Sequence, residues 1–258
     1  MSNIRFFWQN LFDLAALTAS SQDADFPAAN LQNPLRTKVY KTAGATPGTA
    51  NLVIDHLTAK PVTAIILANY DWAGAPGTLN LEFNAADAWG APSATEALTW
   101  VATPDTYGNP NVIIKVFASK SYRYNRLNVV YSPGAVPTDW QLGRIFLGTC
   151  FEPINHYDFD GEESIVDPSF IGESVGGQQL VDEITKYRTK SFDFPAETLA
   201  QWLLFQQMFN SVGYSRDLFV AFDFDNYPNA LTMYGKFTSL RQQDDFFKRI
   251  ELAFKESR

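Results

Sequence analysis

The sequence predicts a mainly β protein of two domains, an N-terminal jelly-roll β-sandwich followed by a C-terminal β-barrel-like domain with one α-helix. Three observations predict it: short runs alternating between apolar and polar residues, clusters of Gly, Pro, Asn and Asp between them, and a single long stretch with helical periodicity. At 258 residues the chain is long enough for two cores of ordinary size.

In the first half the alternation places strands at about 51–57, 61–70, 77–84, 97–102, 111–118 and 122–131. In the third of these Leu79, Leu81 and Phe83 share one face and leave a polar face opposite, as a pleated strand requires. Six such segments without a helix between them suit two sheets packed face to face, a sandwich or jelly roll, and exclude helical crossovers of the α/β kind. Two prolines and a glycine at 132–138 disfavour regular structure, so residues 1–132 are read as the first domain, 133–138 as a linker and 139–258 as the second domain.

The second half opens with a strand at 140–147, continues as a loop region through Gly177, and forms a strand at 184–194. A helix follows at about 197–212, with Leu199, Trp202, Leu203, Phe209 and Val212 on one side, Pro195 before it and Gly213 to terminate it. Strands at 217–224, 231–240 and 247–255 close the chain. The two halves share no internal repeat.

Composition narrows the function. Twenty Lys plus Arg against 28 Asp plus Glu give a net charge of -8, so no overall positive field would gather nucleic acid or anionic lipid. No apolar run reaches the roughly 20 residues of a membrane helix, and the N-terminus lacks the uninterrupted apolar core of a signal peptide. A single cysteine, Cys150, excludes an internal disulfide, and with only His56 and His156 a zinc cluster has too few ligands. Aromatic residues make up 15%, which calls for large buried cores or interfaces.

Chemistry-bearing motifs are few. The segment His156-Tyr157-Asp158-Phe159-Asp160-Gly161-Glu162-Glu163 sets alternate carboxylates near a glycine, as around a hard cation, but lacks the third acidic ligand and the bidentate Glu of an EF-hand. A solvated loop or a subunit contact through Asp158 and Asp160 is the simpler reading, and a glycosidase pair would need a carboxylate separation that sequence does not give. Asp223, Asp225 and Asn226 read as a polar turn ending a strand. Cys150 sits among apolar neighbours as an inert core thiol, no Gly-x-Ser-x-Gly elbow occurs, and the glycines at 172–177 lack the lysine of a phosphate loop. The chain is expected to carry no catalytic residue, cofactor or metal. Lys186, Arg188 and Lys190 alternate along one strand and are expected to line a docking face or a guarded sheet edge.

Leu17-Thr18-Ala19-Ser20-Ser21, Phe26-Pro27-Ala28-Ala29-Asn30-Leu31, Ile54-Asp55-His56-Leu57, Pro61 to Asn69 and Arg123 to Val129 together resemble discoidin-like, galactose-binding-like jelly rolls over residues 10–132. That resemblance implies a carbohydrate-binding module, with Tyr70, Trp72, Trp89 and Tyr107 in or beside loops as candidate stacking residues on cell-surface glycans. Gly143 to Gly148, Ile165 to Ser169, Arg216 to Ala221 and Leu231 to Thr238 resemble the C-terminal region of tailed-bacteriophage distal tail or tail-tip (baseplate) minor structural proteins. This second resemblance implies a virion subunit made in the host cytoplasm. It would form a homo-oligomeric ring, with a hexamer favoured over a trimer, between the tail tube or tail hub and receptor-binding proteins.

Overall fold

The computed structural model describes residues 4–35, 37–43, 49–72, 76–101, 112–131, 140–158, 161–173, 179–194, 198–227, 229, 231–244 and 248–257. Strands run in the order β1 (Arg5–Asn10), β2 (Ala16–Ala19), β3 (Tyr40–Lys41), β4 (Thr49–Ala68), β5 (Thr78–Asn84), β6 (Ala94–Ala97), β7 (Val112–Val130), β8 (Gln141–Leu142) and β9 (Arg144–Phe151). They continue with β10 (Glu163–Val166), β11 (Phe170–Glu173), β12 (Gln179–Asp182), β13 (Tyr187–Phe194), helix α1 (Leu199–Val212), β14 (Leu218–Ala221), β15 (Thr232–Asp244) and β16 (Lys248–Glu256). The mainly β class and the jelly-roll sandwich are as the sequence predicts.

The chain divides into two compact units that are not contiguous in sequence. The sandwich unit holds residues 9–151 and 227–232, and the second unit holds 1–8, 152–226 and 233–258. The expected linker at 133–138 lies outside the described residues. The expected boundary is nevertheless displaced, because β9 pairs antiparallel with β4 from Ala64↔Gly148 to Ala68↔Arg144 and so belongs to the sandwich. Strand pairing, not composition, decides where the first core ends.

In the sandwich, two strands expected in each of two places are single long strands. Residues 49–55 of β4 pair with β2 and with 124–130 of β7, whereas 60–68 pair with 112–122 of β7 and with β9. Register breaks between Asp55 and Lys60, where the pair bends. Strands β5 and β6 continue the first sheet from β7, giving the order β9-β4-β7-β5-β6. Ala50, Leu52 and Ile54 from one half of β4, and Val62, Ile65 and Leu67 from the other, enter one core with Leu81, Phe83, Leu127, Val129 and Leu147.

The bend has a local cause. Leu57 takes φ +64, a conformation a leucine rarely adopts, and the Asp55 carboxylate accepts its backbone N–H at 2.7 Å. The same carboxylate receives two bonds from the Arg123 guanidinium at 2.8 Å each. Asn10 stabilises the other end of the sheet by acting as a strand residue through its side chain: its amide donates to the Ile145 carbonyl and accepts from the Leu147 N–H, both at 2.9 Å. Gly148 permits close approach there, since a Cβ would lie 2.2 Å from the Gln9 carbonyl oxygen.

The second unit orders its strands β10-β13-β16-β15-β14-β1, with Arg5↔Ala221 and Phe7↔Phe219 joining the last pair. Its core is a cluster of phenylalanines, with Phe6 5.8 Å from Phe205, Phe194 4.9 Å from Phe205 and Phe237 5.8 Å from Phe254. Two strands, β10 and β11, stand where a loop region is expected through Gly177, and β12 follows before the expected strand at 184–194. Strands β11 and β12 form a two-stranded arm that pairs with no other strand among the described residues.

Helix α1 is capped by the Thr198 hydroxyl, which accepts the Gln201 N–H, and ends at Gly213 with φ +54. Its buried stripe is Gln201, Phe205, Met208 and Val212, so of the expected face Val212 is buried, Trp202 and Phe209 are partly buried, and Leu199 and Leu203 are exposed. Phe205 and Met208 outcompete the leucines because they complete the aromatic core.

Replacing Gly148 by Ala is expected to destabilise the sandwich by about 2–4 kcal/mol, because backbone must move to admit the methyl. Differential scanning calorimetry would register this as a melting transition about 4–12 °C lower.

Candidate functional site

Of the four aromatic residues expected to stack on sugars, the structure leaves one available among the described residues. Tyr70 and Trp72 are 3% and 6% exposed and belong to the core. Trp72 packs 4.9 Å from Tyr70 and 5.6 Å from Trp140, which in turn lies 5.4 Å from Tyr40. The Tyr70 hydroxyl donates to the Val101 carbonyl at 2.7 Å, and burial pushes its phenol up to about 12. Both rings close the end of the sandwich and offer no face to a ligand, which corrects the expectation for them. Tyr107 lies outside the described residues.

Trp89 is partly exposed on the turn between β5 and β6. Asn84 braces that turn, accepting from the Ala85 N–H and the Ser93 hydroxyl at 2.9 Å each and donating to the Ala88 carbonyl. Asp87 accepts the Trp89 indole N–H at 2.6 Å, which fixes the plane of the ring. The Arg126 guanidinium sits 4.6 Å from the ring centroid in a cation–π contact.

Beneath this pair lies the outward phase of the first sheet. Glu82 faces Arg126 in register across β5 and β7, and Asn51, Asn128 and Asn80 form the next row across β4, β7 and β5. Glu82, with its side chain 7% exposed, accepts from Arg126 Nε at 2.7 Å and from Asn128 Nδ2 at 3.0 Å. Both carboxylate oxygens are engaged, so the group serves as a fixed acceptor that orients its neighbours. Asn51 and Asn128 each keep a buried side-chain oxygen that receives no donor from the protein. Burying an acceptor without a donor costs about 1–3 kcal/mol, a cost that the packing around this row offsets.

Sequence reasoning missed Glu82, Arg126 and Asn128. The signal was present as the polar phase of β5 and β7, but alternation alone does not say which polar face carries a braced indole.

The other candidates resolve into structural roles or go unused. Lys186 forms an exposed ion pair with Asp167 at 3.2 Å, outside strand β13. Arg188 is buried and bonded to Glu256, whose side chain is fully buried, at 3.2 and 3.3 Å. Lys190 pairs with Glu163 at 3.2 Å and lies 4.3 Å from the Phe222 ring. Arg188 and Lys190 share the phase of the core residues Phe192 and Phe194, so they do not form the expected docking row. Asp158 donates its backbone N–H to the Asp193 carbonyl at 2.8 Å, and Asp160 lies outside the described residues.

No group of three or more His, Cys, Asp or Glu side chains suited to a metal occurs among the described residues. Asp223 accepts the Asn226 backbone N–H at 3.2 Å, forming the expected turn. Cys150 is partly buried, its thiol 4.0 Å from the Thr63 hydroxyl. No described helix is long and apolar enough to cross a membrane.

No protein-family model matches the chain, and no curated protein matches it. Among solved structures, it is similar to chitosan-binding module 1 of a chitosanase/glucanase from Paenibacillus sp. IK-5, at 18% identity and a TM-score of 0.41 over 55% of this chain and 99% of that one. A Streptococcus pneumoniae fucose binding module, SpX-3, is similar at 12% identity and a TM-score of 0.41 over 55% and 98%. The lectin domain of lectinolysin complexed with Lewis B antigen is similar at 14% identity and a TM-score of 0.39 over 54% and 95%. These neighbours are carbohydrate-binding jelly-roll modules, and none of the three is a phage tail protein. At such identities and scores the likeness carries no inference about a ligand.

The bend of β4 adds a pH-sensitive feature. His56 is buried, its Nε2 2.7 Å from Asn125 Oδ1, and burial pushes its pKa below the ordinary 6.5. The unfolded chain therefore binds a proton at His56 before the folded one does. Stability is expected to fall as pH drops below about 6.5 and to level off below the folded value of this group. A second loss, from protonation of Asp55, follows between pH 3.8 and about 2, because the hydrogen bond from Arg123 holds that carboxyl at about 2. Urea denaturation across this range should show the first slope flattened in His56→Gln.

Proposed function

We propose that the sandwich unit is a carbohydrate-binding module and that the ligand lies on the polar sheet face beside Trp89, without catalysis. The observation that carries this reading is the indole itself. Its edge is pinned by Asp87, its ring is set against Arg126, and it stands over a row of carboxylate and amide side chains. A sugar presents apolar C–H faces that pack on an indole and hydroxyls that pair in two directions with amides, carboxylates and guanidinium groups. The arrangement offers both with little ordering on binding, since the polar groups already hold one another in place.

A glycan array followed by titration calorimetry on a bound sugar tests this. Trp89→Ala is expected to weaken binding at least tenfold while leaving the melting temperature nearly unchanged, because the ring lies outside the core. An array without a single bound glycan, or full affinity in Trp89→Ala, would sink the reading.

A second reading, a structural subunit of a larger particle such as the tail tip of a bacterial virus, is favoured by the β11–β12 arm. An isolated two-stranded ribbon is marginally stable in water, and this one carries Phe170 at 68% exposure, so an external partner would stabilise it. Electron microscopy of the purified protein should then show closed rings of six or three copies, and a field of single particles without rings would remove this reading.

A further inference from the structure

Along β5, β6 and β7 the charges cancel in pairs. Glu82 meets Arg126 at 2.5 Å, Glu96 meets Lys120 at 3.0 Å, and Asp55 of β4 meets Arg123 at 2.8 Å. On these strands and the turn between β5 and β6, Lys115 and Asp87 alone are left without an ion-pair partner among the described residues. Lys115 belongs to the far half of β7, opposite Ile65 of β4 and beyond the register break at the bend. Asp87 stands beside Trp89.

One oxygen of Asp87 is engaged and the other is not. Its Oδ1 accepts the Trp89 indole N–H at 2.6 Å, its Oδ2 meets no donor among the described residues, and the residue is exposed. The hydrogen bond to the indole holds this anion at the edge of a flat apolar ring. Arg126, the cation 4.6 Å from the centroid of the same ring, is already committed to Glu82, whose side chain is 7% exposed.

Sugars of different charge would meet this edge differently. An acidic sugar would bring a carboxylate next to Asp87, on a chain whose net charge is -8, and would be repelled. A neutral sugar would offer Oδ2 a hydroxyl, which makes an ordinary hydrogen bond. A sugar with a free amine would offer an ammonium group, whose charge-assisted hydrogen bond to a carboxylate is roughly twice as strong as one between neutral groups. Its ring would still present a C–H face to the indole.

We propose that the ligand of the Trp89 site is a cationic amino sugar, its ammonium group on the free oxygen of Asp87 and its ring on the indole face away from Arg126. This rests on the reading of the sandwich as a carbohydrate-binding module and names the class of sugar. Asp87 is exposed, so water screens the pair and the charge adds about fivefold to affinity.

Titration calorimetry on the full chain at low salt, with β-1,4-linked trimers of glucosamine, glucose and N-acetylglucosamine, tests the assignment. The glucosamine trimer is expected to bind about fivefold tighter than the other two, an advantage that salt at about 0.5 M should largely screen away. Asp87→Asn keeps an oxygen for the indole N–H and removes the charge. It should lower the glucosamine trimer to the affinity of the glucose trimer and leave the glucose trimer unchanged, whereas Trp89→Ala should weaken all three. Equal or tighter binding of the glucose or N-acetylglucosamine trimer, still lost in Trp89→Ala, would overturn the amino-sugar assignment and leave the carbohydrate reading standing. Full affinity for the glucosamine trimer in Asp87→Asn would do the same. Binding of none of the three also overturns the assignment, and the carbohydrate reading falls with it only if the glycan array is blank. A lysine trimer bound as tightly as the glucosamine trimer, with the same dependence on Asp87, would overturn it in favour of a basic peptide.

Discussion

The sandwich depends on the antiparallel pairing of two long strands, β4 and β7, which stay paired from Thr49↔Val130 to Ala68↔Val112 with register breaks between Asp55 and Lys60 and between Val62 and Ala64. Most other strands of that unit are registered on this pair, while β3 and β8 pair with each other. β2 and β9 attach to the two halves of β4, β5 attaches to β7, and β6 follows β5. A one-residue slip would turn Leu52, Ile54, Leu127 and Val129 outward together, so the core itself fixes the register. The bend between the halves is a strained point, with Leu57 at positive φ, and the Asp55 carboxylate holds it by bonding to Arg123 and to the Leu57 N–H.

Buried polar groups divide according to whether they find partners. Arg144, with its side chain 5% exposed, bonds twice to Asp13 at 2.6 and 2.7 Å and to the Leu31 carbonyl at 2.9 Å. In the second unit Arg188 and Glu256 satisfy each other out of water. Removing either partner of such a pair is far costlier than the pair is worth, because a lone buried charge remains. The indole N–H groups of Trp72 and Trp140 and the Tyr131 hydroxyl are buried without a partner, a cost borne by the aromatic contacts around them. The Asn51 and Asn128 side-chain oxygens, in the polar phase of β4 and β7, are likewise buried without a donor from the protein.

The aromatic content is spent mainly on interiors. Phe6, Phe192, Phe194, Phe205, Phe222, Phe237 and Phe254 fill one core, and Tyr40, Tyr70, Trp72 and Trp140 fill the end of the other. An aromatic-rich composition is therefore no measure of sticky surface. Exposed apolar area falls instead on Leu199, Leu203 and Leu204 of α1, on Ile154 and Ile165, and on Phe170 of the β11–β12 arm.

The sequence by itself determined the β class, the positions of most strands, the helix with its Gly213 end, and the turn at Asp223 to Asn226. These follow from period-two alternation, from helical spacing and from turn chemistry, which act over a few residues. It also carried the polar phase of β5 and β7, though not its meaning. Only the tertiary structure decided that β9 completes the first core, that Arg188 lies buried on Glu256, that Trp72 is interior while Trp89 is not, and that α1 buries Phe205 and Met208 and exposes its leucines. Each of those outcomes turns on which segment lies across from which. Such pairings join residues tens of positions apart, where local spacing has no reach and the best-packed core selects the partner.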